Sequence, residues 1–412
     1  MAKTKLGEFE RAGGVEDWRV LEVGASAWFD APSQTVGAEL VGRIAEVTDA
    51  LPDVDLRAGG VRVRIGVTGL TRDDVVLARA VSATAKELGL VADPAALQTV
   101  QLVIDAVDKH SVMSFWRTAL AYEPLGDDCL ADPLRRDPVI SFQRQDQPQP
   151  LRNRIHVDIV RAPAAVEAVR AVAGHEPYGA YQLTLADADG NEIDLVPGAV
   201  LSEGPETADW GTLFGAMTFY PTASPVQAVE LAKDVAGLSD AADVPLLVDL
   251  RPDGVTIDSG KDQWEDDVLG AGRFADLASR IQTTAHELGL SADKTRPRFV
   301  QLGMDAVDIP AVQAFWMTVL GYQHDGRPFL SDIYDPRRLN PVIFFQKLDA
   351  ADEDRRRQRN RIHLDLYVPY DQAQARIETA ISAGGRILTG KTPGRCTIAD
   401  PEGNELDIVT HS

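Results

Sequence analysis

The chain has 412 residues, 44% apolar and 25% charged, the proportions of a globular protein with room for roughly two to four domains. Its 41 basic and 63 acidic side chains leave a net charge of −22, which disfavours nucleic acid and anionic membranes as partners. The two cysteines, Cys129 and Cys396, fall at unmatched positions, so neither a disulfide framework nor a cysteine zinc site follows and a reducing cytoplasm fits.

The first residues lack the apolar stretch of a signal peptide, and no apolar run approaches the ~18 residues of a membrane span. Residues 18–29 read as a strand and 35–50 as a helix, followed by short strands at 54–57 and 61–67. Leu77, Val81, Ala85 and Leu88 recur at helical spacing, which predicts a helix over 72–88 that Gly89 closes. A strand follows at 99–106. Val112, Phe115, Trp116, Ala119 and Leu120 then form one apolar helix stripe, read as core. Strands at 125–131 and 138–144 complete this module. The pattern restarts with a strand at 155–160, a helix at 163–173, and strands at 181–185 and 191–196.

The second half repeats the first. Asp17-Trp18 returns as Asp209-Trp210, and Lys86-Glu-Leu-Gly-Leu90 as His286-Glu-Leu-Gly-Leu290. Gln101-Leu-Val-Ile-Asp-Ala-Val-Asp108 returns as Gln301-Leu-Gly-Met-Asp-Ala-Val-Asp308, with Phe315 and Trp316 on the matching helix stripe. Asn153-Arg-Ile-His-Val-Asp158 returns as Asn360-Arg-Ile-His-Leu-Asp365. The spacing between copies grows in small steps, as loop insertions would produce. The expected divisions are 1–95, 96–199, a linker at 200–208, 209–295 and 296–412.

Period-two alternation sets Gln101 and Asp105 on one face of their strand, opposite Leu102 and Ile104. The later strands present Ser141 and Gln143, then His156 and Asp158, then Glu192 and Asp194. In the second copy the same positions are Gln301 and Asp305, Phe344 and Gln346, His363 and Asp365, Glu405 and Asp407. Curved into one sheet per copy, these faces line an acidic crevice that requires a cation: a metal, protons or a positively charged ligand.

This pattern resembles the vicinal oxygen chelate superfamily, which includes glyoxalase I, extradiol dioxygenases and the bleomycin- and fosfomycin-resistance proteins. The resemblance is carried by Gln101 to Asp108 leading into Phe115-Trp116, by Asn153-Arg-Ile-His156, and by Asp187-Ala-Asp-Gly-Asn-Glu-Ile-Asp194 with its twin Asp400-Pro-Glu-Gly-Asn-Glu-Leu-Asp407. It implies a divalent metal (Zn, Ni, Mn or Fe) held by Gln101, His156 and Asp194 in one copy and by Gln301, His363 and Asp407 in the other. The glutamate that the family places on the fourth strand is replaced by Ser141 and Phe344. Asp194 and Asp407, or Glu192 and Glu405, would move a proton. Asp105, Gln143, Asp158, Asp305, Gln346 and Asp365 would line the substrate.

The first part of each copy more loosely resembles pterin-4a-carbinolamine dehydratase, through Pro52-Asp-Val-Asp-Leu56 and Gly69-Leu-Thr-Arg-Asp-Asp74 at the head of a helix. The His-His-Pro that this chemistry needs is Ala50-Leu51-Pro52 here, and the second copy has Ala242-Asp243-Val244-Pro245, so the unit reads as a pairing or packing module. The expected fold class is therefore α+β: a tandem duplication, each copy a small dehydratase-like unit followed by paired βαβββ modules.

Two function classes stay open. One is a metal-assisted lyase or isomerase acting on a small carbonyl or hydroxy compound. The other is a metal-free, drug-sequestering type of protein that holds a cationic or polar small molecule in the acidic crevice. His156 and His363 also have a structural alternative, hydrogen-bonded to a neighbouring aspartate. The basic run 355–361 follows acidic residues at 352–354 and reads as a solvated hairpin. Gly270-Ala-Gly272 lacks the third glycine of a dinucleotide loop, and there is no Walker loop, so no nucleotide cofactor is expected. The expected partners are a small molecule and either the other copy within the chain or a second chain.

Overall fold

The computed structural model describes residues 6–22, 24–48, 50–392 and 394–411. The chain divides into two compact units, and each draws on both copies: one takes residues 1–97 and 198–297, the other 98–197 and 298–410. No described helix is long and apolar enough to cross a membrane.

In the first unit each half runs hairpin, helix, hairpin, helix. The first half comprises Arg19–Leu21 and Gly24–Asp30, Gln34–Val47, Asp53–Arg57 and Gly60–Ile65, and Arg72–Glu87. The second comprises Gly211–Leu213 and Gly215–Pro221, Pro225–Ala242, Leu247–Arg251 and Gly254–Asp258, and Arg273–Glu287. The single strand expected over 18–29 is a hairpin, because Glu22 adopts a left-handed conformation at φ 56° and reverses the chain. Helix starts are fixed by side-chain caps: Ser33 accepts from the Val36 amide, and Thr71 and Asp74 form a capping box. The stretch 200–208, expected as a linker, is packed: Thr207 is buried in the turn Pro205–Thr207, and Gln282 binds both Pro205 O and the Asp209 amide.

The halves join edge to edge. Asp53–Arg57 pairs antiparallel with Leu247–Arg251 in the middle of a ten-stranded sheet, which sets Asp55 opposite Asp249. Like charges directly opposite destabilise a sheet. Here each is neutralised from the other half: Arg57 Nη1 donates to Asp249 Oδ1 at 2.7 Å, and Arg251 Nη2 to Asp55 Oδ1 at 2.6 Å. Arg62 adds a second guanidinium on Asp55 at 2.6 Å, and every member of this cluster is buried.

The second unit holds two sheets, and each is shared between copies. One runs Thr184–Ala186, Glu192–Pro197, Ile155–Arg161, then Phe299–Ala306, Val342–Lys347, Ile333–Tyr334 and Gln323–His324. The other runs Arg386–Thr392, Arg395–Ala399, Glu405–Val409, Ile362–Tyr367, then Thr99–Ala106, Ile140–Arg144, Cys129–Ala131 and Glu123–Pro124. The expectation of one sheet per copy is thus corrected: the opening strand of each copy lies against the histidine strand of the other. Alternation of polar and apolar residues is the same in both copies, so it satisfies either pairing equally. Two shorter differences have local causes. The strand expected over 125–131 is broken by Gly126 at φ 71°, and that over 181–185 begins only at Thr184 because Gln182 is left-handed at φ 54°. Trp116, Trp316, Leu102, Leu302, Ile155, Val157 and Ile159 form the core beneath these sheets, and Asp108 and Asp308 cap the helices Lys109–Leu120 and Ile309–Leu320.

Burial alone would raise the Asp55 carboxyl, but Arg251, Arg62, Arg64 and Arg57 hold it well below the usual carboxylate range. A carboxyl depressed on folding stabilises the protein above its unfolded value of about 3.9, and that contribution is lost as pH falls through the folded value. The first unit therefore loses stability below about pH 4, and Asp55→Asn removes ~3–5 kcal/mol at neutral pH because it strands buried arginines. Urea unfolding at pH 7 and pH 3.5 checks both; an Asp55→Asn chain as stable as the parent would contradict them.

Candidate functional site

The first crevice is built from three strands. In the antiparallel pair, His156 lies opposite Gly303 and Asp158 opposite Gln301; on the other flank Asp158 is in parallel register with Asp194. Gln301 Nε2 donates to Asp158 Oδ2 at 2.9 Å, His156 Nε2 stands 3.5 Å from Asp158 Oδ1, and Thr184 Oγ1 donates to Asp194 Oδ1 at 2.6 Å. Ligand atoms of His156, Asp158 and Asp194 all lie within 4.8 Å of one another. Two buried atoms here, Gln301 Oε1 and His156 Nδ1, find no hydrogen-bond partner among the described residues.

The second crevice repeats the plan with His363 opposite Val103, Asp365 opposite Gln101, and Asp407 beside Asp365. Ligand atoms of His363, Asp365 and Asp407 again lie within 4.8 Å of one another. The strands thus bring Gln301, not Gln101, beside His156 and Asp158, and Gln101, not Gln301, beside His363 and Asp365. The position of the missing fourth-strand glutamate also differs. Phe344, beside Gly303, packs edge-on against the His156 ring with centroids 5.6 Å apart. Val103 and Ser141 occupy the same two places in the second crevice.

Several expected site residues are committed elsewhere. Glu192 is held by Arg152 and by the Tyr178 hydroxyl at 2.9 Å, and Glu405 is gripped by Arg359 Nε at 2.9 Å from both oxygens. Arg359 also bonds Asp105, while Arg355 bonds Asp305 with Arg152 3.7 Å away. Glu192 and Glu405 are thus ion-paired to arginines in this structure. Gln143 and Gln346 stand exposed on the strands next to Asp105 and Asp305. The basic run is not a hairpin: Glu353–Arg357 is a short exposed helix, and of the arginines that follow or end it Arg361 is buried and Arg355 half-buried, while Arg356, Arg357 and Arg359 stay exposed.

The frame that holds both crevices is the Asn-Arg-Ile-His motif itself. Asp187 Oδ2 receives Trp116 Nε1 at 2.8 Å and Asn191 Nδ2 at 2.8 Å, and Gly190 at φ 81° closes the turn. Arg361, from the other copy, donates through Nε to Asn191 Oδ1 at 2.9 Å and through Nη2 to Gly190 O at 2.9 Å. Reciprocally, Trp316 Nε1 reaches Asp400 at 3.0 Å, and Arg154 donates to Asn404 Oδ1 at 3.1 Å and to Gly403 O at 3.3 Å. The amides of Arg154 and Arg361 donate to Asn360 Oδ1 and Asn153 Oδ1, each at 2.9 Å. Burial raises Asp187 and Asp400 above the usual carboxylate range.

Sequence reasoning missed Arg395. Its guanidinium lies along Asp365, with Nη1 2.9 Å from Oδ1 and Nη2 2.7 Å from Oδ2, and also bonds Asp407. Burial raises the Asp365 carboxyl, with Arg395 pulling it down and Asp407 pushing it up. The strand register that aligns Thr184 with Asp194 and Thr397 with Asp407 places Gln182 at the equivalent position of the first copy. A lone cation where the repeat has a glutamine was the available signal.

Residues 101–196 and 301–409 match the model of the glyoxalase-like domain. The chain belongs to the vicinal oxygen chelate superfamily and carries that domain twice. No curated protein matches it. Among solved structures, glyoxalase I from Zea mays aligns over 76% of this chain and 93% of its own at 10% identity and a TM-score of 0.36. A glyoxalase-related enzyme from Fulvimarina pelagi covers 26% of this chain and 84% of its own at 21% identity and a TM-score of 0.22. A glyoxalase/bleomycin resistance protein from Albidiferax ferrireducens covers 27% and 95% at 14% identity and a TM-score of 0.21.

A Cβ on Gly303 would overlap the His156 imidazole and press on Phe344. Gly303→Ala is expected to push the His156 ring out of the crevice and to cost ~1–3 kcal/mol in overpacking. The imidazole NMR resonances of His156 and the urea midpoint report this, and no change in either would contradict it.

Proposed function

We propose that the first crevice is a metal-assisted lyase or isomerase site for a small carbonyl or hydroxy compound. The observation that carries this reading is the donor set: a buried imidazole, two carboxylates within 4.8 Å of it, and the unpartnered amide oxygen of Gln301. Nitrogen and oxygen donors of this kind suit a borderline divalent ion such as Zn, Ni, Mn or Fe. Gln301, His156 and Asp194 would hold the ion. Asp158 fixes the amide by accepting its Nε2, which leaves Oε1 as the coordinating end. When bound, the ion would polarise a substrate oxygen. Asp158 would then move a proton at the adjacent carbon.

A second reading rests on Phe344. It fills the position of the missing fourth ligand with an aromatic ring against His156, which suits a metal-free crevice for a cationic or polar small molecule. The first unit supports scaffolding rather than dehydration. Its hairpin–helix order fits the dehydratase-like reading, while Leu51 and Pro52, at the place of the required histidine and proline, are both buried.

Elemental analysis of the chain purified without a tag separates the two readings. The enzyme reading predicts bound Zn, Ni, Mn or Fe, with metal affinity lowered at least ~10-fold in His156→Ala. Asp158→Asn is expected to keep the metal and to lose proton exchange on α-hydroxy carbonyl compounds. A metal-free chain that stays so after incubation with excess ions would overturn the enzyme reading in favour of ligand binding.

A further inference from the structure

The two crevices share a plan but not a charge. In the second, Asp365 and Asp407 are spanned by Arg395, whose two Nη atoms lie 2.9 and 2.7 Å from the Asp365 oxygens and whose Nη1 also bonds Asp407. This bidentate, charge-assisted arrangement is the geometry in which a guanidinium binds carboxylates most firmly. Burial works against a charge on Arg395, and the two carboxylates outweigh it, so the guanidinium stays cationic. In the first crevice, the equivalent Gln182 is exposed, and its amide donates to Gly179 O. Thr184 donates to Asp194 there, and Arg152, bonded to Glu192, acts on Asp194 only through its charge.

We propose that Arg395 is a built-in cation that occupies the second crevice in place of a metal ion, so that the chain takes one divalent ion, at the first crevice, rather than two. A divalent ion entering beside His363 must displace Arg395 from Asp407, the carboxylate equivalent to the ligand Asp194, and crowd its paired bonds to Asp365. It must also leave Arg395, itself only a third exposed, facing a second positive charge. Weakening this charge-assisted network lowers metal affinity at that site on the order of 100-fold against the first. Arg395 is thus a specificity-determining residue: it decides which of two nearly identical donor sets is available. The count of one rests on the metal reading of the first crevice, whereas the blocking role of Arg395 does not.

The test is calorimetric titration of Zn2+ into the chelator-stripped full-length chain, with circular dichroism and thermal melting to verify folding. The parent is expected to bind one equivalent, Arg395→Gln two, and Arg395→Lys one, because lysine keeps the charge. His156→Ala is expected to bind none, and His156→Ala/Arg395→Gln one. Two equivalents in the parent, or a folded Arg395→Gln that still binds one, would overturn the proposal. A parent that binds none while Arg395→Gln gains one would leave Arg395 as the block and sink the metal reading of the first crevice. No binding in either would sink both.

Discussion

Two buried arginines hold the second unit in its cross-copy form. Arg154 and Arg361 are 2% and 1% exposed, and each spends its guanidinium on the Gly-Asn turn and loop carbonyls of the opposite copy. A buried guanidinium is tolerable only when its donors are matched, and a planar fork of five N–H groups can be matched only by acceptors already fixed in place. Those acceptors are fixed by the tryptophan–aspartate–asparagine bonds of the turn, which are local to each copy. The copies therefore cannot settle separately without leaving two charges buried and unmet. The crevices inherit that geometry, since His156 and His363 lie two residues beyond these arginines, on the strands that begin directly after them.

The same logic of reciprocal arginines recurs in the first unit, where Arg57 and Arg251 cross the seam between halves to neutralise Asp249 and Asp55. The buried carboxylates of these seams are balanced by a few buried guanidiniums, and the partly exposed Arg152 and Arg359 pair with Glu192 and Glu405 at the rims of the crevices. Arg395 extends the pattern into the second crevice, where it spans Asp365 and Asp407.

Much of this was legible in the residues. The helix stripes through Trp116 and Trp316, the strand alternation through His156 and Asp158, and the repeat itself all follow from periodicity, because burial on one face is a local demand. Which copy supplies the partner strand was not legible. Gln101 and Gln301 have nearly the same neighbours, and either satisfies alternation beside either histidine. The choice is made by Arg154 and Arg361, whose partners lie about 170 to 250 residues away in sequence. The ion-pair partners of Glu192 and Glu405 were hidden for a related reason. An acidic side chain on a crevice face looks available until the arginine that binds it, Arg152 or Arg359, is placed.

The most direct test of the cross-copy account is a double-mutant cycle on unfolding free energy between Arg361 and Asn191. Arg361→Met and Asn191→Ala, singly and together, should show a coupling of ~1–3 kcal/mol, while Arg154→Met with Asn191→Ala should be additive to within ~0.5 kcal/mol. Coupling of Asn191 to Arg154 and not to Arg361 would mean that each copy folds on itself, and the shared crevices described here would not exist.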